Sequence, residues 1–125
     1  MTQHEIDERF AEAVSHHQAG DAAAAEPLYR AVLAAQPDHT GALCNLGVIL
    51  GRNQPAEAVS LYTAALAANP HLIDAHFNLG NLYRRMGRPA DAVNCYQAVL
   101  RIEPNHARVY LNLGIAATDL GDTAN

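Results

Sequence analysis

The chain has no tryptophan and only two cysteines in 125 residues. It also has no lysine, since all eight basic residues are arginines. Each shortage closes off a class of function. The densest basic stretch is Arg84-Arg85 with Arg88 close by. That is too sparse for the counter-ion release that drives binding to nucleic acids or to anionic lipid, so no nucleic-acid partner is expected. Spanning a bilayer takes about 20 successive apolar residues. No such run exists, nor one like a signal-peptide core, so membrane insertion is not expected. Cys44 and Cys95 lie in separate helical patterns with no Cys-x-x-Cys spacing, which fits a reduced, cytoplasmic setting.

Catalytic constellations are missing as well. No nucleophile, base and orienting acid occur together, and no glycine-rich phosphate loop follows a strand pattern. The chain is therefore expected to be no enzyme and to hold no cofactor. His39, His71 and His106 each follow a proline by one or two positions. If they sit one helix pair apart, they are far too distant to share an ion through bonds of about 2 Å. They are expected to be turn residues, and His16-His17 has no third ligand at metal spacing, so no metal site is expected.

What the chain does have is alanine, about a fifth of its residues, and half its residues are hydrophobic. Alanine is the best helix former and permits close helix contact, which points to an all-α fold. The length suits one domain over residues 1–125. The formal net charge of -5 is local to the front, where residues 1–40 carry seven acids against two arginines.

One unit recurs. Leu46-Gly47, Leu79-Gly80 and Leu113-Gly114 are spaced by 33 and 34, as are Pro37, Pro70 and Pro104. Tyr29, Tyr62 and Tyr96 keep the same frame, as do Ala25, Ala58 and Ala92, and Leu33, Leu66 and Leu100. The units run over about 6–39, 40–72 and 73–106, with a partial one at 107–125. Each reads as two amphipathic helices and a Gly-containing turn, which predicts seven helices in about 3.5 repeats. The second unit is one residue short in its turn, and Pro27 in the first predicts a late start or a kink in that unit's second helix. A glycine inside a helix costs about 1 kcal/mol relative to alanine. Its recurrence at 47, 80 and 114 predicts that a neighbouring helix presses there.

Asn78 to Pro104, with Leu79-Gly80, Tyr83, Gly87, Ala92, Tyr96 and Pro104, resembles the repeat signature of the tetratricopeptide family. The pattern is similar to the arrays of O-GlcNAc-transferase-like proteins. The resemblance covers about residues 6–121 and implies a right-handed superhelical solenoid of antiparallel helix pairs. Its concave face would be lined by the first helix of each unit, with an interaction partner there.

Asn45, Asn78 and Asn112 each stand directly before a Leu-Gly pair, so stacked repeats would set these amides in a row. Asn offers both a donor and an acceptor, so a row of them can hold a peptide backbone without reading its side chains. The arrangement resembles the asparagine ladder of O-GlcNAc transferases. The alternative is bonding within the array. Arg52 and Arg85 near the ends of first helices are candidates for an acidic group, or else complement the helix macrodipole. Asp74, Phe77 and Asn81 complete the expected peptide contacts, with Phe10, Val14, Cys44, Val48, Leu111 and Ile115 along the same groove by analogy. The expected function is a peptide- or protein-binding scaffold. Two alternatives stand beside it. In one, the chain is the substrate-recognition front of a larger enzyme such as a glycosyltransferase, suggested by the abrupt end after Asp122. In the other it is a self-assembling structural protein whose uncapped last helix presents Val109, Leu113 and Ala116 to another copy.

Overall fold

The computed structural model describes the backbone of residues 1–124 and the side chains of residues 1–121. The partial fourth unit expected over 107–125 therefore ends, at Asn125, outside the described residues. Seven helices follow one another: α1 (Gln3–Gln18), α2 (Ala22–Ala35), α3 (Thr40–Leu50), α4 (Pro55–Ala68), α5 (Ile73–Arg85), α6 (Pro89–Ile102) and α7 (Ala107–Ala124). No strand occurs among the described residues. The helices form two compact units, Met1–Asn69 and Pro70–Asn125, called unit 1 and unit 2 below.

Local chemistry sets the helix boundaries. Thr2 and Asp21 accept the N–H groups of Glu5 and Ala24 and so cap α1 and α2, each satisfying a donor that the first turn leaves without a partner. Proline at the first position starts α4 and α6, where its missing N–H costs nothing. Gly20 and Gly87, at φ 82° and 74°, close α1 and α5. Behind them Asp21 N–H bonds His16 O at 2.9 Å, and Arg88 N–H bonds Tyr83 O at 2.8 Å, the double closure that a left-handed glycine permits. The short turn after α3 has no such glycine, because Gly51 keeps a right-handed conformation. The late start expected at Pro27 does not occur: the Asp21 cap sets α2 off at Ala22, and Pro27 lies inside the helix.

In unit 1, α1 packs on α2, α2 on α3 and α3 on α4, around Ala13, Tyr29, Leu46 and Tyr62. In unit 2, α6 lies between α5 and α7, around Leu82, Tyr96, Val99 and Val109. Burying one such side chain contributes about 1.5–3 kcal/mol. The repeated glycines act as spacers. A Cβ on Gly47 would lie 2.9 Å from the Tyr62 ring, and one on Gly80 2.7 Å from Tyr96. A Cβ on Gly114 would meet no neighbouring group within 4 Å among the described residues.

Candidate functional site

The stripe Asp74, Asn78, Asn81 and Arg85 follows the i, i+4, i+7, i+11 spacing that keeps residues on one side of a helix. All four lie on α5, with Asp74 and Arg85 exposed and the two asparagines half-buried. Asp74 is in the first turn and Arg85 in the last, so each also complements the helix macrodipole. Phe77 lies beside this stripe and is a correction to the expected contact set. It is only 7% exposed, with its ring against Tyr96 and His106 and the Arg108 guanidinium 4.9 Å above it. It is a core residue with a charged cover.

Three asparagines prove to be bonded at the tyrosines that build the core, Asn45 and Asn81 directly and Asn112 through Asn81. In unit 1, Asn45 Nδ2 donates to Tyr29 Oη at 3.2 Å, and His17 Nδ1 stands 3.2 Å from the same hydroxyl. In unit 2, Asn81 Oδ1 accepts from Tyr96 Oη and from Asn112 Nδ2, the latter at 2.9 Å. Burial raises both phenols above their usual range. The Asn45 bond opposes this at Tyr29, and at Tyr96 the positive charge of Arg84 opposes it most. The bonds pin one end of each amide. Asn45 and Asn112 use Nδ2 within the fold, whereas Asn81 uses Oδ1. Asn78, one helical turn before Asn81, makes no side-chain hydrogen bond among the described residues.

Sequence reasoning assigned Tyr29 and Tyr96 to the fold alone and so missed their hydroxyls as anchors. Spacing gave only a partial signal: Tyr29 bonds Asn45, 16 positions on, whereas Tyr96 bonds Asn81, 15 positions back. Arg52 and Arg85 differ in setting, because Arg52 lies in the turn after α3 and Arg85 inside α5. Arg84, beside Arg85, has Nη1 closed off from solvent with no hydrogen-bond partner.

Two of the three histidines are helix caps. His39 Nδ1 accepts the Ala42 N–H at 3.0 Å and its ring sits 4.6 Å from Phe10; His106 Nδ1 accepts the Val109 N–H at 3.3 Å beside Phe77. His71 falls one position early, so Leu72 takes the N-cap position of α5 and supplies no side-chain cap. Among the described residues no group of three His, Cys, Asp or Glu side chains could hold a metal ion, and no helix is long and apolar enough to cross a membrane.

The face expected for self-association is also corrected. Val109 and Ala116 are 0% exposed, and Leu113 packs on the same core, because that stripe of α7 meets α6. The exposed apolar side chains of α7 are Tyr110, Leu111, Ile115 and Leu120.

Two family models, both described as tetratricopeptide repeat, match residues 10–73 and 49–113. No curated protein matches the chain. Among solved structures, MamA superposes with a TM-score of 0.88 at 21% identity, over 93% of this chain and 64% of that one. An O-GlcNAc transferase mutant from Thermobaculum terrenum gives 0.83 at 27% identity, over 93% of this chain and 23% of that one. The first tetratricopeptide domain of Spaghetti (RPAP3), bound to an HSP90 peptide, gives 0.90 at 20% identity, over 97% of both chains. The chain thus spans less than two thirds of the length of the first two.

Proposed function

The chain belongs to the tetratricopeptide repeat family, and from that premise we propose that it is a peptide-binding interaction module. Extended peptide backbone is held by Asn45 in unit 1 and by Asn78, Asn112 and Asn81 in unit 2, with Arg52 setting the charge in the first unit and Arg85 and Asp74 in the second. The observation that carries this reading is the pinning of Asn45, Asn81 and Asn112, each bonded at one end inside the fold; among the described residues Asn78 is not pinned. An asparagine whose one end is bonded inside the fold loses little side-chain freedom when its other end takes a ligand. A half-buried polar group with one end still open is what a peptide backbone, with alternating N–H and C=O groups, can satisfy.

Magnitude limits the claim. At about 0.5–1.5 kcal/mol net per hydrogen bond, three amides supply only a few kcal/mol, near millimolar affinity. Contacts to ligand side chains have to supply the rest. That Spaghetti's domain is bound to a peptide supports a peptide as ligand class. No residue on this face forms a nucleophile–base pair, so the chain's own role is proposed to be recognition, in the cytoplasm.

The test is a random-peptide display screen. Selected peptides are then titrated against the wild-type chain and the variant Asn45→Ala, Asn78→Ala, Asn112→Ala. We expect the triple variant to bind at least about tenfold more weakly, one lost bond of roughly 1.4 kcal/mol being enough. Unchanged affinity for every selected peptide removes the asparagines from this role. The likeness to part of an O-GlcNAc transferase favours a second reading, in which these repeats choose substrate for a larger glycosyltransferase. A stop codon directly after Asn125 in the gene ends that reading.

A further inference from the structure

The helices that carry Asn45 and Asn112 each start on a histidine six positions earlier (45 − 39 = 6, 112 − 106 = 6). We propose that these two caps form a pH-sensitive device built into the fold, closed while His39 and His106 are neutral and released when they take up a proton. It needs no ligand, so it stands or falls apart from the peptide reading.

A backbone nitrogen can only donate a hydrogen bond. Nδ1 of His39 lies 3.0 Å from the Ala42 nitrogen and Nδ1 of His106 lies 3.3 Å from the Val109 nitrogen, so both must be bare nitrogens of neutral rings. An imidazolium carries hydrogen on both nitrogens, and turning the ring over restores no acceptor. Proton and cap therefore exclude each other. Without the bond, the Ala42 and Val109 N–H groups rejoin the donors that a first turn leaves without a partner.

Charge at the helix start acts in the same direction. A helix N-terminus is the positive end of the macrodipole and disfavours a further positive charge. α1, α4, α5 and α6 carry an acid in the first turn, and α2 starts on Asp21. The first turns of α3 and α7 carry none, and these are the two starts that histidine closes. The surroundings supply little to hold a proton there. Beside His39, the turn brings Asp38, the last turn of α2 has no charge, and α1 brings the Phe10 ring, with Asp7 a turn before it and Arg9 paired to Glu12. Beside His106, the turn brings Glu103 and the end of α6 Arg101, while α5 brings the Phe77 ring, which Arg108 covers. On α5, Asp74 lies a turn before that ring, and His76 Nε2 is spent on Pro70 O at 2.9 Å. Asp7, Asp38, Asp74 and Glu103 are all exposed, and exposed charges attract weakly through water. The unfolded chain accepts the proton that each cap refuses, so folding weakens as pH falls from about 8 towards about 5, the span over which histidine changes charge.

The test sets the wild-type chain beside the double variant His39→Asn, His106→Asn, because asparagine caps a helix without titrating. Urea unfolding of both is measured at about pH 7.5 and about pH 5, on either side of the histidine range. Over that interval the wild-type folding constant is expected to fall about tenfold further than that of the variant, each lost cap contributing a few-fold. The remaining histidines and the carboxylates titrate in both proteins and cancel in the difference. In the wild type, the amide resonances of Ala42 and Val109 are expected to move with the titration of their own capping imidazole, and in the variant to stay in place. His71→Asn, outside any side-chain cap, is expected to leave the wild-type behaviour unchanged. An equal loss in the two proteins overturns the proposal, as do imidazoles that take up protons while both amide resonances hold still. If the double variant does not fold, the wild-type resonances decide alone.

Discussion

Unit 1 and unit 2 place the same side chains 67 positions apart and surround them differently. Phe10 and Phe77, Gly20 and Gly87, Tyr29 and Tyr96, His39 and His106, and Asn45 and Asn112 all keep that separation (77 − 10 = 67, and likewise for the rest). Each pair does the same job. The aromatic rings meet, the histidine caps the following helix, and the asparagine bonds at the tyrosine hydroxyl or its partner. The differences lie around this set. His17 attends the tyrosine in unit 1, whereas Asn81 and the charges of Arg84 and Arg85 do so in unit 2. Gly41 lets Phe10 lie against the start of α3, where a Cβ would come 2.7 Å from its ring; Arg108 covers Phe77 instead. The shared set closes the helix pairs, while the variable set decides what the surface offers.

The strongest way to break this comparison is the same substitution at three frame-matched glycines. Gly47→Ala and Gly80→Ala push a methyl group into a buried tyrosine ring and are expected to cost about 1–3 kcal/mol each. Gly114→Ala meets nothing, and is expected to gain up to about 1 kcal/mol from helix propensity. Urea unfolding measures all three. A neutral Gly80→Ala would show that the ring does not gauge the helix spacing.

A smaller effect separates capped from uncapped starts. His39→Ala and His106→Ala are each expected to lose about 1 kcal/mol, and His39→Asn to keep most of it, because asparagine is also a good cap. Leu72→Ser supplies α5 with the cap it lacks and is expected to stabilise unit 2 by some tenths of a kcal/mol to about 1 kcal/mol. Amide exchange at Ala42 and Val109 checks that the caps act locally.

The smallest concerns Cys95. Burial, helped by the charge of Asp91, pushes its thiol up to about 11. Alkylation by iodoacetamide at pH 8 is therefore expected to be slow, with about one molecule in a thousand as thiolate, and to quicken as pH approaches 11. The sign for stability follows. Between pH 9 and 11 the unfolded thiol has lost its proton and the folded one has kept it, so folding weakens as pH rises through that range. Rapid alkylation of Cys95 at pH 8 would contradict its burial.

Helices, turns and spacer glycines were legible in the sequence because each repeats at a fixed period and obeys local rules. The glycines at 47 and 80 told of a pressing neighbour helix, but not that the rings of Tyr62 and Tyr96 do the pressing, nor that Gly114 would be open. The site was less legible. The recurrence of asparagine before Leu-Gly could be read, but not that Asn45, Asn81 and Asn112 are bonded inside the fold, since that depends on Tyr29 and Tyr96 reaching over from other helices. Phe77 looked like a groove residue by its position, yet Arg108 and His106 close over it, and no spacing rule conveys that. The outward stripe of α7 was misjudged for the same reason, because the side of a helix that lacks a neighbour is decided by the neighbours. The histidines looked alike by their distance from proline, but the one-residue offset of His71 separates a cap from a plain turn residue.

The double acceptance at Asn81 Oδ1 has a further consequence for how unit 2 is tied together. One amide oxygen on α5 takes both the Tyr96 hydroxyl of α6 and the Asn112 N–H of α7, so three helices share a single acceptor, and removing that oxygen strands two donors at once rather than one.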